Sequence, residues 1–398
     1  MKLPPAGAVH DEREIEAVVE VLRSGQLDIG PAVAMFERRV ADLLAKRHGV
    51  MVNSGSSALR LAIDLLDLSP GDEILTSPLT FSTDIAPMVQ SGIVPVFVDV
   101  DPSTCQIDVE GIEAMVGPRT RAILVPDLCG NVPDWDAIRT IADAHGLTVI
   151  EDACDVLDSW LRGERTGARS DISVTSFART HAITAGGNGG MVGIDDDDLL
   201  DRCVSLRRWG RRSESYLFGS RRGRDERFGA LADGTPYDMV FLFDAVGYNF
   251  EPSEMGAAYG LVQLDKLPAF NARRRENWRR LDACLSALPH ITPATTTPGA
   301  ETTWMRSCFA IDAGAPWSRS EVQVRLDARG VPTRMVWTGN VLRQPGFAGI
   351  AHRAPAGGLP ACDRIMDRAL SLPIHHGLAD EHMSYICEQL EQLLGPAT

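Results

Sequence analysis

Between Gly49 and Ile194 the chain repeats one pattern: a short apolar run, a turn, an amphipathic helix, another apolar run. Short strands that are apolar on both faces belong to a parallel sheet covered by helices on each side. The expected strands are Gly49–Val52, Glu73–Leu75, Val94–Val98, Arg121–Val125, Leu147–Ile150, Ile172–Phe177 and Gly190–Ile194. The intervening helices are expected near Ser57–Leu66, Thr83–Gln90, Val109–Met115 and Trp135–His145, with Asp197–Arg207 after the last strand. Two helices, Glu12–Arg23 and Ala32–Lys46, precede the repeat. Gly25 stops the first.

Beyond the repeat the pattern changes. The polar segment Arg211–Asp238 reads as a long loop, a type that is usually functional or mobile. A helix from Ser253 to Leu285 contains Pro268, which should kink it or divide it in two. The remainder suggests a small α+β unit with strands Ser307–Ile311 and Thr333–Val336 and helices Glu321–Ala328 and Asp380–Leu394. A length of 398 residues exceeds one small core. The expected division is 1–292 for a large α/β domain and 293–398 for a small one.

Charge and cysteine usage narrow the function. A formal net charge of −15 argues against a nucleic-acid partner. No run of about 18 apolar residues is present, so no membrane span is expected. The eight cysteines are scattered without a CxxC pair, which fits reduced thiols in a cytoplasmic enzyme.

Four segments carry possible chemistry. Asn53-Ser54-Gly55-Ser56-Ser57 joins a strand to a helix. Its backbone N–H groups could meet a phosphate, although Ser56 or Ser57 could equally serve as an ordinary helix cap. Asp152 and Asp155 follow a strand end, where open α/β sheets bind ligands. A carboxylate there can hold a heteroaromatic nitrogen protonated, or simply cap the next segment. Ser176-Phe177-Ala178-Arg179-Thr180-His181 ends another strand and leads into Gly186–Gly190. His181 is either a proton carrier or a structural loop histidine. Asn249 precedes the long helix and could be no more than a turn residue. Arg207, Arg208, Arg211 and Arg212 could meet a diphosphate or form a solvated basic face.

In this order and spacing, the segments resemble the DegT/DnrJ/EryC1/StrS sugar aminotransferase family from about Pro4 to Leu394. The resemblance implies fold-type I of the pyridoxal-phosphate (PLP) enzymes, the aspartate aminotransferase-like fold. It has a large mixed, mostly parallel sheet domain and a small C-terminal one. In that family a serine–phenylalanine pair precedes the lysine that binds the coenzyme; His181 stands in that lysine's place. The nearer resemblance is to the histidine-containing sugar 3-dehydratases of the CDP-4-keto-6-deoxyglucose 3-dehydratase type, through Arg208–Arg211, Arg227–Gly229, Gly247–Asn249, Gly339-Asn340 and Arg343–Pro345. It implies that Ser56, Ser57 and Ser176 bind the coenzyme phosphate and that Phe81 stacks on its ring. Asp152 would pair with the pyridine nitrogen, and Asp155 would lie near the ring hydroxyl. Asn249 would reach the phosphate from a second subunit of a homodimer.

Two departures set the chemistry. The iron–sulfur relative holds its cluster on four cysteines. Cys154 matches the first, while Ser213, Ser215 and about Gly223 fall at the others, so no cluster is expected. The only lysines are Lys2, Lys46 and Lys266, and none follows a strand end near Asp152. The expectation is noncovalent PLP, used in its amine form (PMP), with His181 as the proton-transfer base. The substrate would be a nucleotide- or nucleoside-linked 4-keto hexose losing its C3 hydroxyl. The product would be released by hydrolysis or passed to a separate reductase. The alternatives are an atypical aminotransferase or isomerase, or a non-catalytic sugar-nucleotide-binding homologue.

Overall fold

A computed structural model describes residues 1, 3–4, 9–224 and 227–395. Lys2 lies outside the described residues. Seven strands form the main sheet in the spatial order His48–Val52, Gly190–Ile194, Ile172–Ser176, Thr148–Asp152, Thr120–Pro126, Glu73–Thr76 and Val94–Phe97. Only Gly190–Ile194 runs antiparallel to both of its neighbours. The sheet is therefore mixed and mostly parallel, as the apolar runs require. His48–Val52 and Ile172–Ser176 both oppose that strand, so they run the same way as each other and as the rest. The carboxyl ends of six strands thus share one edge.

The helices cover both faces because their apolar stripes have no other place to go. Trp135, Phe36 and Phe177 are among the largest fully buried side chains on the helix-covered faces. Phe36 meets Phe177 edge-on at 4.7 Å. This contact anchors the end of the strand that leads to His181.

The C-terminal part contains an antiparallel three-stranded sheet, Ile291–Pro293, Arg306–Ile311 and Ala369–Pro373. Helices Arg319–Ala328, Pro360–Arg368 and Asp380–Leu394 accompany it. Its core is continuous with Leu79, Ile85 and Phe97 from the main sheet's edge. Among the described residues, no helix is long and apolar enough to cross a membrane.

Four local expectations are corrected. Pro268 does not divide the long helix, which runs from Glu254 to Ser286 as one element. Packing against Glu12–Ser24, Pro31–Leu43 and Asp380–Leu394 along its length outweighs the lost hydrogen bond. Thr333–Val336 is not a strand; only Arg334 bridges, to Ser371. The segment 211–238 is not one loop, since it holds a short helix, Ser213–Leu217, and a hairpin, Phe228–Ala230 with Pro236–Asp238. Lys46 lies beyond its helix, which ends at Leu43.

Candidate active site

The shared edge of strand carboxyl ends opens on a cavity of about 340 Å³. Most of these strands deliver a part. Ser54, Gly55 and Ser56 follow His48–Val52; Asp152, Cys154 and Asp155 end or follow Thr148–Asp152; Ser176 and His181 end or follow Ile172–Ser176. Phe81 and Asp84 arrive after Glu73–Thr76, and Trp337 closes the cavity from the C-terminal part.

One end is built for an anion. Ser54 caps the helix Gly55–Leu65 by accepting from the Ser57 N–H at 3.1 Å. Gly55 is required there by close approach, since a Cβ would sit 2.7 Å from that of Ser176. The helix N-terminus therefore lies directly against Ser176, where N–H groups and the helix dipole favour negative charge. Ser56 and Ser176 line the cavity. Ser57 does not; its hydroxyl donates to Asn53 at 2.6 Å, within the cap.

The interior is dense in acid. Asp152 accepts the Cys154 N–H at 3.0 Å. Burial raises its pKa, and the nearby Asp155 charge adds to the effect. Asp84 is likewise raised well above the usual range, by burial and then by the neighbouring Asp152. Asp127, also in the cavity wall, is raised by burial and by Glu151.

His181 and Asp155 form the centre. The His181 Nδ1 lies 3.6 Å from Asp155 Oδ1, beyond direct hydrogen bonding. Neither atom has another partner, and both are buried. The second Asp155 oxygen is fully committed, accepting the Cys129 N–H and the Trp337 indole N–H, both at 2.9 Å. Cys129 and Trp337 adopt φ of +58° and +45°. Left-handed backbone in non-glycine residues stores strain, and here both strained residues orient the same carboxylate. The His181 backbone is fixed from two sides. Its N–H donates to Ala178 O at 3.1 Å, and its carbonyl accepts from Arg274 at 2.9 Å.

The aromatic wall is Phe81, half exposed at 48%, edge-on to Trp337 at 5.5 Å. No lysine lines the cavity among the described residues. Lys46 is bound to the Ser170 carbonyl and Asp195, and Lys266 to Glu14 and Asp11.

The profile of the DegT/DnrJ/EryC1/StrS aminotransferase family matches residues 9–391. The chain belongs to this family. A dTDP-4-dehydro-2,6-dideoxy-D-glucose 3-dehydratase of Saccharopolyspora spinosa is 36% identical, covering 99% of this chain and 87% of that relative. A GDP-4-keto-6-deoxy-D-mannose 3-dehydratase of Yersinia pseudotuberculosis is 30% identical over 86% of each chain. The solved E. coli GDP-4-keto-6-deoxy-D-mannose-3-dehydratase with bound hydrated PLP superposes with a TM-score of 0.88. It is 26% identical, with 98% of this chain and 100% of that one covered. The family's aminotransferase fold is the one observed here.

Of the residues singled out in the sequence, Ser56, Phe81, Asp152, Asp155, Ser176 and His181 share the cavity. Asn249 is exposed and does not line it; its side chain accepts the Glu251 N–H at 3.3 Å, as a turn residue would. The arginine cluster is not a solvated face. Arg207 is fully buried on Glu37 and the Met51 carbonyl, Arg208 pairs with Glu251 and Arg212 with Asp244, while Arg211 lies over Trp209. Sequence reading missed Asp84, Trp337 and Arg274. Asp84 looks like an ordinary first-turn acid of its helix, and Arg274 is hidden in a run of three arginines.

Proposed function

We propose that this chain is a vitamin-B6-dependent sugar 3-dehydratase that removes the C3 hydroxyl of a nucleotide-linked 4-keto hexose. One observation carries the reading: among the described residues an imidazole, and no primary amine, stands in the wall of a cavity that fits a phosphorylated heteroaromatic coenzyme. Similarity to 3-dehydratases over nearly the whole chain supports it. The cavity fits that coenzyme on its own terms, with an anion-favouring helix end, an aromatic wall and a buried acid. Buried Asp155 Oδ1 and His181 Nδ1 have unused hydrogen-bonding capacity beside it.

The coenzyme, in its amine form and held noncovalently, supplies a covalent handle for the sugar ketone and a ring that accepts electrons. Asp152 holds the pyridine nitrogen protonated; a cationic partner offsets the burial that raises this carboxyl's pKa. Ser56, Ser176 and the helix N-terminus hold the phosphate, with Ser57 bracing that end through Asn53, and Phe81 lies on the ring. Asp155 favours the His181 tautomer with its proton on Nδ1, which leaves Nε2 to take the proton from C4′. An imidazole cannot replace the lysine amine that would release an aminated sugar. Asn249 reaches the phosphate from a second copy, so the working unit is a homodimer. Among the described residues Cys154 is the one cysteine that lines the cavity, and a cluster needs more thiolates. The reading therefore includes no iron–sulfur cluster: the amine form of the coenzyme would supply the two electrons, and hydrolysis would give the 3-deoxy-4-keto sugar, ammonia and the aldehyde form of the coenzyme. Any further reduction falls to a separate partner protein.

The test is to load the protein with PMP and offer nucleotide-linked 4-keto hexoses, following product masses. Loss of the C3 oxygen is expected. A product that gains nitrogen would overturn the proposal. In His181→Lys, the coenzyme is expected to become covalently attached, as read from the intact mass after borohydride reduction.

A further inference from the structure

The long helix Glu254–Ser286 and the C-terminal helix Asp380–Leu394 pack along a polar seam. Arg273 donates to Asp380 and to the Leu378 carbonyl, each at 2.8 Å, and further along Arg280 donates to Ser384. The next turn of each helix brings a thiol to the same seam, Cys284 after Arg280 and Cys387 after Ser384. The Cys284 Sγ points at the Cys387 carbonyl at 3.9 Å, and the two thiols touch each other. Both cysteines are free and partly exposed.

Their surroundings distinguish the two sulfurs. Cys387 accepts from the Cys284 thiol and lies near the Arg280 guanidinium; both hold its pKa below the usual thiol value, against burial and Glu391. The same thiol contact, and then burial, push the Cys284 pKa up. A thiolate beside a cation is the reactive form of cysteine, and an adjacent thiol can resolve its oxidation product. The remaining cysteines are placed differently. Cys129 and Cys308 also touch, but both are buried away from solutes. Cys154 is partly exposed in the candidate active site, yet burial and then Asp152 push its pKa well above the usual range.

We infer that Cys284 and Cys387 form a peroxide-reactive dithiol whose oxidation to a disulfide tethers the C-terminal helix to the long helix. The Cys387 thiolate bonds to one oxygen of hydrogen peroxide and the O–O bond breaks. Hydroxide leaves and takes up a proton as water. The Cys284 sulfur then attacks the Cys387 sulfenic acid, the S–O bond breaks, and the thiol proton departs with the hydroxyl as a second water. The two thiols lose two electrons in all, and one peroxide is reduced to two waters. The bond closes a loop of about 100 residues, so it restricts the unfolded chain. This dithiol is independent of the coenzyme and of the proposed dehydration.

The experiment exposes the reduced full-length protein to a stoichiometric dose of hydrogen peroxide, caps the remaining thiols and maps the peptides. The expected result is a peptide linked through Cys284 and Cys387, with an intact mass lower by about 2 Da. The urea midpoint should rise on oxidation and return with dithiothreitol. In Cys284→Ser the reaction should stop at a sulfenic acid on Cys387, trapped by dimedone. In Cys387→Ser the Cys284 thiol should stay reduced at the same dose. The inference fails if Cys154 is oxidised in preference, or if Cys284 and Cys387 remain reduced in the parent. It fails equally if the linked protein unfolds at the same urea concentration as the reduced one.

Discussion

Two clusters of buried polar groups teach opposite lessons. At the N-terminal brace, every valence is filled. Glu254 accepts the N–H groups of Gly30, Ala32 and Val33 at 2.9, 2.6 and 3.0 Å, capping a helix that begins with Pro31. Glu14 is equally complete, receiving Lys266 and Gln263. At the carboxyl ends of the strands, Asp155 Oδ1 and His181 Nδ1 are buried with no hydrogen-bond partner. Burial of this kind is costly, by about 1–3 kcal/mol per group. A satisfied carboxylate holds the fold together. The unused capacity of Asp155 and His181 lies beside the cavity, where a ligand can complete it.

The difference can be broken in order of effect. His181→Ala should lower turnover about a thousandfold, the usual range for a lost proton carrier, with unchanged urea unfolding. Retained activity would remove the base assignment. Glu254→Ala should do the reverse. It strands three amide donors and should cost about 3 kcal/mol of stability, measured by the shift of the urea midpoint, with coenzyme affinity little changed in the protein that remains folded.

A third prediction concerns pH. His376 stacks on Phe270 and accepts from Arg274, and burial pushes its pKa down to about 3. The unfolded chain then binds more protons below about pH 6.5, so stability falls as pH drops from there toward 3. At pH 5 the loss from this group is about 2 kcal/mol. Asp84 and Asp127 act with the opposite sign, because their raised folded pKa values favour the folded state at lower pH. His376→Gln isolates the histidine. Its decline in stability between pH 7 and 5 should be smaller than the parent's by about that amount. The smallest effect belongs to Trp337→Phe, which keeps the aromatic wall but loses one donor to Asp155. A roughly tenfold fall in kcat/KM is expected, about 1.4 kcal/mol. An unchanged value would mean that Cys129 alone orients the carboxylate.

Much of this arrangement is legible in the sequence, for a local reason. Apolar strands buried on both faces announce themselves, and their carboxyl ends are where open sheets bind ligands. Asp152, Ser176 and His181 follow directly from that rule. Trp337 and Arg274 act only through contacts across long stretches of chain. The left-handed turn at Trp337 has no glycine to signal it, and Arg274 faces inward from a helix whose neighbours Arg273 and Arg275 face outward in part. The hairpin at Phe228–Asp238 is masked by polar composition. The strand Ala369–Pro373 is too short to stand out from the helix that runs into it.

The lone reversed strand has a consequence for how such chemistry changes during descent. Ser176 pairs with Gly190 across the ladder, so the segment from Phe177 to Gly189 leaves and re-enters the sheet at adjacent points. Position 181 is displayed on a closed loop whose foundations do not depend on what that residue is. One codon can therefore change what position 181 displays to the cavity while every neighbouring strand keeps its register, so this corner of the scaffold tolerates new chemistry without being rebuilt.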